Sequence, residues 1–171
     1  MKLAAQIVGA FAVVTFLWSY QQKKRRNIIA LNATSRVLYI VQYLMLGAFE
    51  GAALDVLGTL SSLAAQNKHR GLIKKYTLAA VVLVDAVIVA VGLALYENFF
   101  SLFPIVGVLL HTTAFWISDE RKIRIVSFLG SPFWLVYNLS SAAYGSAVGD
   151  LLTMLSIAIA FCRYDLGKRE K

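Results

Sequence analysis

The sequence predicts an all-α, polytopic membrane protein of seven transmembrane helices, and three observations lead to that prediction. Hydrophobic residues make up 59% of the 171 residues and charged residues only 15%, whereas soluble domains carry about 25% charged residues. The apolar residues form long runs that are separated by short polar clusters. The Lys and Arg clusters also occur in alternate loops. Together these features are typical of a helical bundle that crosses a bilayer.

Seven apolar runs can be drawn, and each is about as long as a helix that spans the hydrocarbon core. β-strands are not expected because the runs show no alternation of apolar and polar residues. Two stretches are too long for one span and must fold into hairpins, with turns at Gly47 and at Tyr144-Gly145, since glycine tolerates positive φ. The seven predicted spans are 3–20, 28–46, 48–65, 76–95, 101–118, 125–144 and 145–162. The first is kept as a span because no small-residue cleavage site follows it.

The basic residues predict the orientation of the chain. They cluster at 23–26, 68–75, 121–124 and 163–171, and the loops between these clusters carry no Lys or Arg. Cytoplasmic loops are the ones enriched in Lys and Arg, so the N-terminus is expected outside and the C-terminus in the cytoplasm. The net charge of +8 then reflects topology, and the expected partner is the lipid bilayer, not nucleic acid.

The chain also shows signs of an internal duplication. Residues of the first three spans recur at offsets of 99 and then 95. Phe16, Ser19, Lys23 and Arg25 recur as Phe115, Ser118, Lys122 and Arg124, and Leu44, Ala48, Asp55, Leu57, Leu60 and Ser61 recur as Leu139, Ala143, Asp150, Leu152, Leu155 and Ser156. This predicts one membrane domain, 1–171, with a parallel 3+1+3 repeat. Its parts are two three-helix units (3–65 and 101–162), a linker helix (76–95) and a basic cytoplasmic tail (163–171).

Four stretches carry a resemblance to a known family, and they are 18–21, 46–52, 131–138 and 163–165. In them the chain resembles the YgjV-type family of small bacterial inner-membrane proteins, which has no settled activity. The resemblance implies location in the bacterial inner membrane. The 3+1+3 layout is similar to that of the SWEET and PQ-loop transporters and, in plan, to the PnuC vitamin transporters. Those groups imply a substrate passage between two three-helix bundles, although the Pro-Gln pair of PQ-loop proteins is replaced here by Tyr20-Gln21 and Asp119-Glu120.

Ionisable residues inside the predicted spans are candidate functional groups, because each costs at least about 2.5–3.5 kcal/mol to insert. Arg36 and Asp55 lie at similar depths on neighbouring helices, which predicts an ion pair; Arg36 could instead contact a substrate or an anion. Asp150 has no such partner, since Ser131 stands where the repeat would place an arginine. Together with His111, Asp150 either takes protons or faces a substrate, or it simply accepts hydrogen bonds from Ser or Asn side chains.

Aromatic and amide side chains share a helix face in each half of the chain. Tyr39 and Gln42 lie on the second span, and Trp134, Tyr137 and Asn138 lie at matching positions on the sixth. Helical spacing places each set on one face. Such a face could bind a sugar or a heteroaromatic ring by stacking and hydrogen bonds. The alternative is an ordinary contact between helices.

Glycine and proline residues predict close packing and a bend. The pairs Gly47-x-x-x-Gly51 and Gly145-x-x-x-Gly149 would let neighbouring helices approach closely. Pro132 lies inside the sixth span, where it removes one backbone hydrogen bond. It is therefore predicted to kink the helix, as a hinge or as a static bend.

These features predict a transporter or facilitator for a small polar metabolite, such as a sugar or vitamin, that works by alternating access between two bundles. The alternative is a non-transporting inner-membrane scaffold, sensor or accessory protein. No enzyme motif is present, and no cofactor or metal is expected with one cysteine and two histidines. The sequence leaves open whether the chain forms a homodimer. A transporter should enclose a polar cavity, whereas a scaffold should bury the same residues in helix contacts.

Overall fold

A computed structural model describes residues 2–69, 71–141 and 143–166. Within these ranges the chain is entirely helical and has no β-strand. The eight α-helices are α1 (Lys2–Tyr20), α2 (Arg25–Leu46), α3 (Phe49–Gln66), α4 (Gly71–Lys75), α5 (Thr77–Ala94), α6 (Leu102–Trp116), α7 (Glu120–Ser140) and α8 (Tyr144–Phe161). A 3₁₀ turn, Phe99–Ser101, precedes α6, and a π-helical turn, Cys162–Leu166, follows α8.

The predicted runs correspond to α1, α2, α3, α5, α6, α7 and α8, but the second hairpin turn was placed wrongly. The predicted turn at Gly47 is confirmed, because Gly47 has φ +78° and its N–H donates to Leu44. In the second hairpin α7 ends at Ser140 and α8 begins at Tyr144. Gly145 therefore lies inside α8, where a Cβ atom would come 2.8 Å from Gln6 of α1. The last part of the predicted tail, 167–171, lies outside the described residues.

Five helical segments in the described part of the chain are long and apolar enough to cross a membrane. They are Leu3–Tyr20, Arg25–Leu46, Thr77–Ala94, Phe99–Trp116 and Tyr144–Tyr164. The helices α3 and α7 have comparable lengths, 18 and 21 residues, but they are not among these five segments.

Six of the helices form a closed ring. α1, α2 and α3 pack in succession, as do α6, α7 and α8, and the contacts α1–α8 and α3–α6 join the two groups. α5 packs outside the ring against α3 and α6. The helices α1 and α8 run parallel, because Gln6 approaches Gly145 near their N-terminal ends and Gln21 bonds to Ser156 near their C-terminal ends.

Polar side chains point inward in this ring, and large apolar side chains point outward. Leu3 and Leu78 are each more than three-quarters exposed, while Asn32, Arg36 and His111 are almost completely buried. Soluble monomers rarely expose such extensive apolar surface, and ionisable residues of membrane bundles face the interior. The distribution is therefore that of a protein whose outer surface contacts lipid.

The two ends of the ring differ in charge, and they are named here by that difference. The basic end contains the C-terminal ends of α1, α3 and α6 and the Lys- and Arg-rich loops that follow them. The acidic end contains the α2–α3 turn, the α5–α6 connection and the α7–α8 turn, where Glu50 and Glu97 lie.

Candidate functional site

A small cavity lies inside the ring, and all six ring helices contribute side chains to it. Its volume is about 30 Å³, which is enough for about one or two water molecules. The lining residues are Phe16 of α1; Arg36, Tyr39 and Tyr43 of α2; Asp55 of α3; His111 of α6; Trp134 and Asn138 of α7; and Asp150 of α8. Five of them are charged or strongly polar, so the centre of the bundle is a polar site within an apolar shell.

The predicted Arg36–Asp55 ion pair is present on one wall of the cavity. Arg36 Nη1 lies 2.6 Å from Asp55 Oδ1, and both side chains are about 95% buried. Arg36 Nε also donates to Asn32 Oδ1 at 3.1 Å. The close approach depends on Gly58 of α3, because a Cβ atom there would collide with the guanidinium group. Opposite charges and a second hydrogen bond thus hold Arg36 in one position.

Asp150 on the opposite wall has an amide for its neighbour. Asn138 Nδ2 donates to Asp150 Oδ2 at 2.8 Å, and Tyr43 Oη donates to Asn138 Oδ1 at 3.0 Å. This hydrogen-bonded chain connects α2 to α8 through α7. The contact agrees with the second interpretation of Asp150, in which it accepts from Ser or Asn side chains, but the carboxylate still lines the cavity.

His111 presents a ring nitrogen without a partner at the same site. Its Nδ1 lies 2.9 Å from the Gly107 carbonyl oxygen, and a carbonyl can only accept, so Nδ1 carries the hydrogen. In the neutral ring Nε2 is then an acceptor, and it has no hydrogen-bond partner among the described residues. A glycine at position 130 makes room for the imidazole, because a Cβ there would lie 2.8 Å from Nδ1.

Aromatic rings form the remaining surface of the cavity. Tyr39 and Tyr43 are nearly parallel, with ring centroids 6.2 Å apart. Tyr43 and Trp134 are also nearly parallel, at 6.5 Å. Phe16 meets Tyr39 edge-on at 6.2 Å. The site therefore combines π surfaces with two carboxylates and one guanidinium.

Two residues of the predicted aromatic-amide faces lie elsewhere. Gln42 turns toward α1 and α8, where it packs over Gly9 and accepts a hydrogen bond from Ser146 at 3.3 Å. Tyr137 lies above the cavity, with its ring 6.0 Å from Trp134 and 6.5 Å from Tyr43. The hydroxyl end of Tyr137 also approaches Gly51 of α3.

A larger vestibule opens above Tyr137 at the acidic end. Its volume is about 730 Å³. Its lining residues come from the α2–α3 turn, the α5–α6 connection and the end of α7: Leu46, Gly47, Ala48, Phe49, Glu50, Glu97, Asn98, Phe100, Ser101, Val136, Tyr137, Leu139, Ser140 and Ser141. Tyr137 therefore borders the vestibule and also contacts two rings of the cavity, so its side chain separates the two spaces.

Two arginines close the basic end in a reciprocal manner. Arg25, at the start of α2, donates to the carbonyl oxygens of Ile117 at 2.9 Å and Ala65 at 2.8 Å, and also to that of Phe115. Arg124, in α7, donates to the Gln22 carbonyl oxygen at 3.0 Å. Each arginine thus satisfies free carbonyls at the end of a helix in the other three-helix group.

Further polar contacts at this end lie where the two three-helix groups meet, between α1 and α8 and between α3 and α6. Gln21 donates to Ser156 Oγ at 2.8 Å, and Trp116 Nε1 donates to Ser61 Oγ at 3.2 Å. Lys68 donates to the Trp116 carbonyl oxygen at 2.6 Å. Burial, with the charge of Arg25 nearby, lowers the pKa of Lys68. These contacts hold the basic end shut, whereas the acidic end is open to the vestibule.

Three of the four glycines predicted for close packing occupy helix contacts. A Cβ at Gly51 would lie 3.2 Å from Tyr137 Oη, and one at Gly149 would collide with Val13 of α1. Gly145 faces Gln6, while Gly47 serves the turn and has no close neighbour. α7 continues unbroken through Pro132, which is exposed on its outer side.

The sequence reasoning missed the vestibule and did not recognise the role of Arg25 and Arg124. A usable signal exists for the arginines, because they are repeat counterparts 99 residues apart. The vestibule leaves no such signal, since it depends on how three separate turns come together.

The comparisons with known proteins give one match. A family model, Imp-YgjV, described as a bacterial inner membrane protein, matches residues 3–168. No curated protein and no solved structure matches the chain.

Proposed function

For this chain, which belongs to the Imp-YgjV family of bacterial inner membrane proteins, we propose transport of a small solute by alternating access between two three-helix bundles. The observation that carries the proposal is the central polar cavity, to which every helix of the six-helix ring contributes. Ionisable residues at membrane depth commonly mark substrate or ion pathways. A site built at the junction of two bundles can also change its exposure when the bundles rock.

The proposal includes seven spans in a parallel 3+1+3 repeat. The ring contacts support this repeat. If α1, α2 and α3 are replaced by α6, α7 and α8 and vice versa, the α1–α8 contact becomes the α6–α3 contact, which the ring also contains. Tyr43 and Asn138, which the 95-residue offset relates, also meet across the centre. α3 and α7 are counted as spans because lengths of 18 and 21 residues correspond to about 27 and 31 Å.

We place the basic end at the cytoplasm, with the N-terminus outside, since Lys and Arg favour the cytoplasmic side. The structure is then closed toward the cytoplasm by the Arg25 and Arg124 contacts. On the outside the Tyr137 side chain lies between the vestibule and the cavity. Unequal closure of the two ends is what one state of an alternating-access cycle requires.

A non-transporting scaffold is the second candidate, and one observation favours it. The central cavity of about 30 Å³ is too small for a sugar or a vitamin without rearrangement. A scaffold would keep this packing, whereas a transporter must widen the cavity during its cycle. The two candidates therefore differ in whether solute crosses a membrane that contains the protein.

The test is solute flux in proteoliposomes with labelled sugars, nucleosides, amino acids and amines. Saturable uptake is expected for at least one class, and Asn138→Ala should reduce it about 5- to 100-fold, because the change breaks the Tyr43–Asn138–Asp150 chain at a cost of about 1–3 kcal/mol. Asn67→Ala is the matched control, since Asn67 lies exposed at the basic end. Absence of flux for every class, with folded protein, would overturn transport in favour of the scaffold.

A further inference from the structure

The central cavity is lined by two carboxyl groups and one guanidinium group. Arg36 and Asp55 compensate each other across 2.6 Å. The Asp150 side chain accepts a hydrogen bond from the neutral amide of Asn138. Asp150 therefore lines the cavity without an ion pair of the kind that joins Arg36 to Asp55 among the described residues. A buried negative charge of this kind favours a cationic occupant, because the cost of removing a carboxylate from water is offset by a nearby positive charge.

The aromatic rings of the lining favour the same kind of occupant. Tyr39, Tyr43 and Trp134 present three nearly parallel rings, and Phe16 adds a fourth surface. A cation over the face of Trp, Tyr or Phe is attracted by the ring quadrupole, and quaternary ammonium groups are bound in aromatic cages for this reason. An anionic solute would gain no such attraction from the ring faces.

The lining also presents an acceptor. His111 Nε2 has no hydrogen-bond partner among the described residues, and in the neutral ring it can only accept. Two of the Arg36 nitrogens, Nε and Nη1, donate to Asn32 and Asp55. A protonated amine could donate N–H hydrogen bonds to the imidazole or to the Asp150 carboxylate, whereas a quaternary amine would interact through its charge and with the rings.

The vestibule provides an access route with the same sign of charge. Glu50 and Glu97 contribute to its lining, and none of the described lining residues is Lys or Arg. Surfaces lined by one sign of charge raise the local concentration of oppositely charged solutes. Three aromatic side chains, Phe49, Phe100 and Tyr137, line it as well.

From these observations we infer that the transported solute is a small organic cation, a protonated or quaternary amine, which binds Asp150 as counter-ion beside the rings of Tyr39, Tyr43 and Trp134. The inference rests on the proposed transport function and names its substrate class. The cavity takes the cation after Tyr137 moves aside and the two bundles separate.

The test compares choline with 3,3-dimethyl-1-butanol, which has the same shape but a carbon atom in place of the charged nitrogen. Methylammonium and tetramethylammonium complete the set. Binding to the purified full-length protein is measured by thermal stabilisation and calorimetry. Uptake into proteoliposomes is measured with a negative interior potential. At least one amine is expected to bind and enter, and the neutral analogue is not.

Asp150→Asn is the decisive variant, because the amide that replaces the carboxylate can still accept from Asn138. It should weaken amine binding at least about tenfold, since a hydrogen bond to a charged group contributes about 1.5–3 kcal/mol. Asp85→Asn is the matched control: Asp85 lies in α5 outside the ring, near Thr113, and should leave binding unchanged. Trp134→Leu should weaken tetramethylammonium binding several-fold.

The outcomes separate the inference from the proposed function. Amine binding that depends on Asp150 without flux would support the cation site and overturn transport. Flux of sugars or other neutral solutes without amine binding would support transport and overturn the cation site. Failure of every amine to bind, equal binding of the neutral analogue, or no effect of Asp150→Asn would each overturn the inference.

Discussion

The two halves of the ring carry a carboxylate at corresponding positions, but they surround it differently. Asp55 of α3 is held in a salt bridge with Arg36. Asp150 of α8, 95 residues later, accepts a hydrogen bond from Asn138, and Ser131 occupies the position that corresponds to Arg36. From this difference we expect Asp55 to contribute mainly to stability and Asp150, under the proposed function, to contribute mainly to ligand binding.

The largest expected effect concerns the first carboxylate. Arg36→Met should lower the free energy of unfolding by about 3–5 kcal/mol, because it leaves Asp55 buried without its partner. Asp150→Asn should change it by less than about 1 kcal/mol, since the hydrogen bond from Asn138 can persist. Denaturant titration in detergent micelles, followed by circular dichroism, measures both values.

The control for the ion pair is the double variant Arg36→Met with Asp55→Leu. Replacing both members of a buried pair by apolar side chains is often neutral, so the double variant should recover most of the loss. If Asp150→Asn is as destabilising as Arg36→Met, the two carboxylates have the same structural role and the comparison fails.

The Arg36–Asp55 pair could be predicted from the sequence because α2 and α3 are joined by a tight turn at Gly47. The depth of each residue in the bundle then follows from its number of residues from the turn, at 1.5 Å per residue. The same reasoning fails at the second turn, since the apolar run continues through 141–144 and contains no clear end signal. Gln42 was assigned to the cavity from its helical spacing. It faces α1 instead, because Gly9 leaves room for it there.

Other features depend on tertiary contacts that local patterns do not contain. The Arg25 and Arg124 contacts use backbone carbonyls of distant helix ends, and backbone acceptors leave no mark in the sequence. The vestibule arises where three connections meet. The sequence can therefore locate the helices and the buried charges, but not the closed and open ends of the ring.

The basic end offers a second comparison in which the two halves should behave alike. Arg25→Gln and Arg124→Gln should each lower the free energy of unfolding by about 1.5–3 kcal/mol, through loss of charged hydrogen bonds. Each substitution should also make side chains at the basic end more accessible to water. In a Cys162→Ala background, a cysteine introduced at Ser61 or Ser156 should react faster with a water-soluble maleimide when either arginine is removed.

Lys122→Gln serves as the control for these arginine variants, because Lys122 is exposed at the same end of the ring. Similar rate increases for the two arginines would support reciprocal closure. An increase for only one of them would mean that a single bundle keeps the basic end shut, and the symmetry of the closure would be lost.

The smallest expected effect concerns the hydrogen bond that joins the halves at the cavity. Tyr43→Phe removes the donor to Asn138 Oδ1, 3.0 Å away, but keeps the ring in contact with Trp134. The free energy of unfolding should fall by about 0.5–1.5 kcal/mol, measured by the same titration against Tyr76→Phe, whose side chain is half exposed. No change for Tyr43→Phe, together with a large loss for Asn138→Ala, would show that Asn138 serves only Asp150. The two halves would then meet at the cavity through ring contacts alone.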